Sequence, residues 1–138
     1  MDTTSFSAQE WLRYTRHIQL KGFGVDGQRR LKKSRVLVVG MGGLGCPLAS
    51  YLAAAGVGSL VLVDGDCVDL TNLQRQVLYS VEDIAEPKVV AARKTLLGLN
   101  PDINIDSINA YFSWDLPASV AYFPLPRRIS KIVIALVW

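Results

Sequence analysis

Residues 35–64 constrain the fold more than any other part of the chain; they read RVLVVGMGGLGCPLASYLAAAGVGSLVLVD. RVLVVG is a short β-branched and aliphatic run closed by a glycine, the pattern of a strand buried on both faces. Residues 44–55 are rich in Ala and Leu and are followed by Gly56 as a stop, which predicts a helix. SLVLVD predicts a second buried strand that ends in an acid. Strand, helix and strand in this span make a βαβ unit, hence a parallel pair joined by a right-handed crossover. The fold class that follows is α/β with a mainly parallel sheet.

The turn inside this unit is GMGGLG, residues 40–45, which fits G-x-G-x-x-G after a strand and before a helix. Gly40 permits the sharp exit from the strand, Gly42 lets backbone N–H groups approach a phosphate, and Gly45 lets the helix pack closely. The helix start adds unpaired N–H groups and partial positive charge. Asp64 falls 24 residues after Gly40, at the end of the second strand, where an acid accepts hydrogen bonds from ribose hydroxyls. Strand, loop, helix and acid in register predict an adenine nucleotide on a Rossmann-like three-layer sandwich. A tight βα turn without a ligand is the alternative. The loop does not say which nucleotide, because a nicotinamide dinucleotide would use the same parts.

The flanks read less sharply. Ser7 followed by Glu10 is a capping box, and Trp11, Leu12, Ile18 and Leu20 supply a partial apolar face, predicting a helix over 8–19. KGFGVDG predicts a loop, and residues 28–33 a short basic helix. Residues 1–34 are thus an N-terminal helical segment, and 35–138 carry the sheet. Beyond Asp64, GDCVDLTNLQRQ is polar, aperiodic and too long for a plain turn. Pro87 stands where a first helical residue would be. Residues 88–99 predict a helix ended by Asn100-Pro101, and INIDSI a third strand over 103–108. SWDLPASVAYFPLPRR has three prolines and no period, and KIVIALVW predicts a last strand over 131–138.

Composition narrows the function classes. A chain of 138 residues, half of them hydrophobic, can bury one core and is not disordered. A net charge of +3 is too mild to argue for nucleic acid. Cys46 and Cys67 make neither a disulfide framework nor a four-ligand zinc site, so no metal ligands are assigned. The N-terminus is polar and acidic, unlike a signal peptide, and the longest apolar run, 132–138, is far short of a membrane span. The expectation is a cytoplasmic protein with neither membrane nor nucleic-acid partner.

Two cations follow the ribose acid. Arg75, in NLQRQ, can bridge phosphate oxygens with its planar fork, and Lys88, in EPK, can act as a point charge near an α-phosphate. A solvated surface cation is the plain alternative for each. Asp66 is a candidate for the ribose or a metal, with a plain loop acid as its alternative. Cys46 is read as a small residue packed beside the glycine loop, Cys67 has no role, and His17 is a surface or half-buried histidine. Lys32, Lys33 and Arg35 read as a solvated basic cluster.

RYTRHIQL, GMGGLGCPLASYLAAAGVGSLVLVD, DLTNLQRQ and EPK, in that order and spacing, resemble the MoeB/ThiF family over residues 13–109. These are bacterial relatives of ubiquitin-activating enzymes that adenylylate small sulfur-carrier proteins in molybdopterin or thiamine biosynthesis. The resemblance implies that the carrier's C-terminal glycine carboxylate attacks the α-phosphate of ATP, with magnesium offsetting charge. It implies that Gly43 belongs to the nucleotide-cradling loop and that Asp64 contacts ribose. Asn72 and Arg75 would lie on the phosphate side, with Lys88 at the α-phosphate. Arg16 would reach the partner subunit's ATP, which implies a homodimer; Arg13 is left as helix surface.

The chain departs from that family after the third strand. The aspartate of a DCTDN-like motif that helps hold magnesium has no counterpart in KIVIALVW. The paired C-x-x-C zinc motifs and the cysteine that some members use in sulfur transfer are absent too. The expectation is a truncated or frameshifted product with an apolar sheet face left exposed. A short variant completed by a partner is the competing explanation. Two other functions stay open: a non-catalytic nucleotide-binding or dimerisation module, and an NAD-dependent oxidoreductase.

Overall fold

A computed structural model describes residues 5–112 and the backbone of 133–136. The first helix, α1 (Ala8–Arg13), starts on the capping box expected of it. Ser7 Oγ accepts from the Glu10 N–H at 3.1 Å, and Glu10 Oε2 accepts from the Ser7 N–H at 2.8 Å. The helix does not run on to residue 19. It breaks at Tyr14, where φ is −99° and ψ 10°, and resumes as α2 (Thr15–Ile18). Tertiary packing causes the break. Tyr14 is buried, its ring fills the space a Cβ on Gly56 would need, and its hydroxyl accepts from Asn100 Nδ2 at 2.8 Å. Thr15 Oγ1 also donates to the Trp11 carbonyl at 2.7 Å, a back-bond that bends helices.

The third helix, α3 (Gly24–Lys33), begins before residue 28 and takes in part of the stretch predicted to be a loop. The Phe23 ring lies against Gly27, and Asp26 puts negative charge in the first turn, where the helix dipole favours it. The basic cluster is not simply solvated either. Lys32 Nζ sits 2.8 Å from Glu10 Oε1 and 5.2 Å from the centre of the Phe6 ring. Arg35 Nη2 pairs with Asp106 Oδ2 at 3.3 Å. Lys33 alone of the three is exposed.

The βαβ unit forms where its sequence predicts, as β1 (Arg35–Val39), α4 (Gly45–Ala55) and β2 (Ser59–Asp64). Gly56 ends α4 in the left-handed region, at φ 84°. Helix α5 (Lys88–Leu99) has the predicted bounds, but Pro87 caps it from outside, at ψ 130°, rather than opening its first turn. Strand β3 (Asn104–Asn109) lies one residue later than predicted, and β4 (Val133–Leu136) occupies the middle of the last apolar run. The proline-rich stretch over 113–128 lies outside the described residues.

All four strands are parallel, in the order β3-β2-β1-β4. The pleat sends Val36, Val38, Leu60 and Leu62 to one face, where they meet Ala49 and Ala53 of α4 and Val89, Ala92 and Leu96 of α5. Leu37, Val61 and Val63 point the other way and gather Val39, Ile108 and Phe112. Leu37, Val61 and Val63 are buried and the other three partly so, whereas the sequence predicts an exposed apolar face. Burial on both faces explains why β1 and β2 read as continuous hydrophobic runs.

One side chain joins the helical arm to this core. Asn100, fully buried at the end of α5, donates from Nδ2 to Tyr14 Oη at 2.8 Å and to the Ala53 carbonyl at 2.7 Å. Nearby, Arg13 Nη1 donates to the Leu99 carbonyl at 3.0 Å and its Nε lies 3.5 Å from Asp102. Asn100→Ala leaves the buried Tyr14 hydroxyl without its donor and takes one of two donors from the Ala53 carbonyl, which keeps the Gly56 N–H. It is expected to destabilise the chain by roughly 3 kcal/mol, read from urea unfolding.

Candidate functional site

The glycine loop is held at its root by backbone bonds. The Gly40 N–H continues the ladder to the Val63 carbonyl at 2.8 Å, and Gly40 turns the chain out of β1 at φ 92°. Gly45 packs so closely that a Cβ there would collide with the Gly40 carbonyl oxygen. Gly42 differs. Its φ is ordinary, and a Cβ on it would meet nothing nearer than Gln76 Nε2 at 3.7 Å. The chain's own packing therefore does not require a glycine at position 42.

Asp64 ties this loop to the end of β2. Its Oδ2 accepts from the Met41 N–H at 2.7 Å and its Oδ1 from the Asp66 N–H at 2.8 Å. Each carboxylate oxygen keeps acceptor capacity for a further donor. Asp66 is exposed and engaged on both oxygens, with Tyr111 Oη donating to Oδ1 at 2.8 Å and Lys88 Nζ 3.2 Å from Oδ2. The Tyr111 hydroxyl and the Lys88 ammonium hold the Asp66 carboxyl below its usual range, and the same bond pushes the Tyr111 phenol up. Lys88 opens α5 and is buried; its N–H donates to the Asp66 carbonyl at 2.9 Å.

Gly40, Gly42, Asp64, Asp66, Lys88 and Tyr111 line a cavity of about 320 Å³, with apolar wall from Val39, Val63 and Phe112. It opens at the carboxyl end of β1 and β2, where parallel sheets take their ligands. Arg75 reaches the same loop from another side. Its Cδ would lie 3.4 Å from a Cβ on Gly43, and its Nη1 donates to the Thr71 carbonyl at 3.2 Å. The structure thus gathers Gly40, Gly42, Gly43, Gly45, Asp64, Asp66, Arg75 and Lys88 around one loop.

Asn72 and Arg16 are not part of the cavity lining. Asn72 Oδ1 accepts from the Asp69 N–H at 3.0 Å and closes the short turn Leu70–Asn72. Arg16 is exposed on α2, and its side chain makes no hydrogen bond or ion pair among the described residues.

Two tyrosines were missed in the sequence. Tyr111 sits past the end of β3 in a stretch with no periodic signal, and its ring lies where a Cβ on Gly65 would be. Tyr79 is buried and donates from Oη to the Met41 carbonyl at 2.7 Å, and burial pushes its phenol far up. Cys46 is the packed residue expected, with its thiol raised by burial and 3.4 Å from the same carbonyl. His17 is half-buried, its Nδ1 2.9 Å from Oε1 of the fully buried Gln28. Cys67 is exposed. Among the described residues no group of three or more His, Cys, Asp or Glu could hold a metal ion. Asp64 and Asp66 are the two carboxylates in the cavity lining, and both already accept from groups of this chain. No helix among the described residues is long and apolar enough to cross a membrane.

Comparison with known proteins places the chain among relatives. The chain is 57% identical over 104 residues to the molybdopterin-synthase adenylyltransferase of Escherichia coli K12, covering 75% of the chain and 42% of that protein. It is 50% identical over 100 residues to the sulfur carrier protein ThiS adenylyltransferase of the same organism, covering 72% and 40%. It thus spans less than half the length of these relatives. The crystal structure of E. coli MccB with ATP superposes with a TM-score of 0.67 at 35% identity, covering 71% of this chain and 31% of that one. Residues 14–122 match the ThiF family model, and the chain belongs to the ThiF family.

Proposed function

We propose that this chain carries the ATP-binding part of an enzyme that adenylylates the C-terminal glycine of a ubiquitin-fold sulfur-carrier protein. One observation carries the reading. Two cations flank a single glycine loop, with the Arg75 side chain laid over Gly43 and Lys88 buried in the cavity wall beside Gly42. A glycine at position 42 that packing does not demand fits a ligand approaching that backbone. The names of the two E. coli adenylyltransferases and the ATP bound by MccB support the same assignment.

Adenosine would occupy the cavity with its ribose hydroxyls on Asp64, and the triphosphate would cross the loop toward Arg75. A carboxylate oxygen of the carrier attacks the α-phosphorus, the bond to the bridging oxygen of the β-phosphate breaks, and pyrophosphate leaves. This chain's share is positioning and charge stabilisation. Lys88 must trade its Asp66 oxygen for one on phosphate, which a point charge on a flexible stem can do. Asn72 shapes the turn that delivers Arg75. Arg16 would serve the second subunit of a homodimer, a role its exposed side chain, without a partner among the described residues, leaves it available for. Residues 1–34 form the arm that carries it, and 35–138 the nucleotide-binding part. Magnesium would accompany ATP, and the cytoplasm is the compartment that fits these substrates.

Carrier-dependent ATP–pyrophosphate exchange, beside calorimetric binding of ATP and NAD, tests the reading. Exchange supports the enzyme, ATP binding without exchange leaves a nucleotide-binding module, and preference for NAD overturns the proposal. Arg75→Ala is expected to weaken ATP binding about tenfold to a hundredfold, as befits a lost charge-assisted contact, while adenosine binding stays unchanged. Equal losses for both ligands would remove Arg75 from the phosphate site.

The Asp66 carboxyl adds a pH dependence. Its folded pKa lies below its unfolded value, so its stabilisation is present above the ordinary carboxylate range and is lost as pH falls through the folded pKa. Asp66→Asn is expected to lower stability slightly at neutral pH and hardly at all at low pH, which flattens the acid limb of the profile; the loss is small because the group is half exposed. An unaltered acid limb in Asp66→Asn would contradict this pairing.

A further inference from the structure

The Met41 carbonyl receives two side-chain donors, Tyr79 Oη at 2.7 Å and Cys46 Sγ at 3.4 Å, and all three residues are buried. A trans peptide is planar and points its C=O and N–H in opposite directions, and the described residues contain no cis peptide. Holding the Met41 carbonyl inward therefore turns the Gly42 N–H outward, at a residue that lines the cavity. Among the described residues that N–H has no acceptor. We infer that Tyr79 is a positioning residue for the anion end of the site, its hydroxyl fixing the 41–42 peptide so that the Gly42 N–H is presented to a phosphate oxygen. This role rests on the nucleotide reading above.

The need for such a bond follows from the glycine. Without a Cβ, residue 42 tolerates either orientation of the preceding peptide, so local sterics do not choose between them. A thiol is a weak donor and cannot make the choice alone. The Tyr79 hydroxyl makes it, from a ring anchored in the main core. Phenylalanine would keep that anchor and lose only the hydroxyl.

Calorimetry on Tyr79→Phe in the full chain, with ATP and adenosine as probes, tests the assignment. ATP binding is expected to weaken roughly fivefold, the scale of one net hydrogen bond, with adenosine binding unchanged. Equal weakening of both, or of neither, overturns the positioning role. The wild-type chain gives an independent readout that does not depend on the variant folding. With isotope-labelled glycine, the Gly42 amide proton should move downfield on adding ATP and stay in place with adenosine. An unmoved resonance with ATP bound overturns the inference while leaving the nucleotide reading intact. A wild-type chain that binds no ATP overturns both.

Discussion

The grip of one carboxylate on two backbone N–H groups organises everything near the cavity. Asp64 holds Met41 from the loop after β1 and Asp66 from the loop after β2, so one side chain ties the two loops together. Lys88 is then located through Asp66, by a backbone bond as well as the ion pair. A hydrophobic residue at position 64 would leave the strands paired and the loops without a common anchor. The acid that is placed to meet ribose thus first performs a structural task inside its own chain.

A second constraint lies away from the cavity. Asn100 pins Tyr14 against the end of α4, and that pin breaks the N-terminal helix in two. The break redirects the chain just before Arg16, so the direction in which that arginine projects is set by a buried amide at the end of α5. His17 and Gln28 extend the same contact, with Gln28 Nε2 donating to the Ala55 carbonyl at 2.8 Å. The arm is therefore keyed into the core by polar contacts and by Tyr14, rather than by a broad apolar face.

What the sequence made legible follows from how local each signal is. The bounds of β2 and α5 were readable because β-branched runs, alanine content and stop residues act over a few neighbours. The glycine loop and Asp64 were readable because their spacing is imposed by one supersecondary unit. Tyr14 could not be read as a helix break, because its partners Asn100 and Gly56 are distant in the sequence. Lys32 looked solvated for the same reason: Glu10 and Phe6 lie a whole helix away. Tyr79 and Tyr111 carry no motif, and their importance appears only when the backbone brings Met41 and Asp66 beside them.

The strand order also sets a schedule for the newborn polypeptide. Val36 pairs on one side with Leu60 and on the other with Val133, so half of the hydrogen-bonding groups of β1 wait for a strand synthesised far later. During that interval the first-made strand presents an open, apolar edge. Such edges recruit other chains, and closing a long loop is slow. The wait for the pairing that covers this edge of β1 is therefore its most exposed moment, and it belongs to the ribosome's timetable as much as to the folded state.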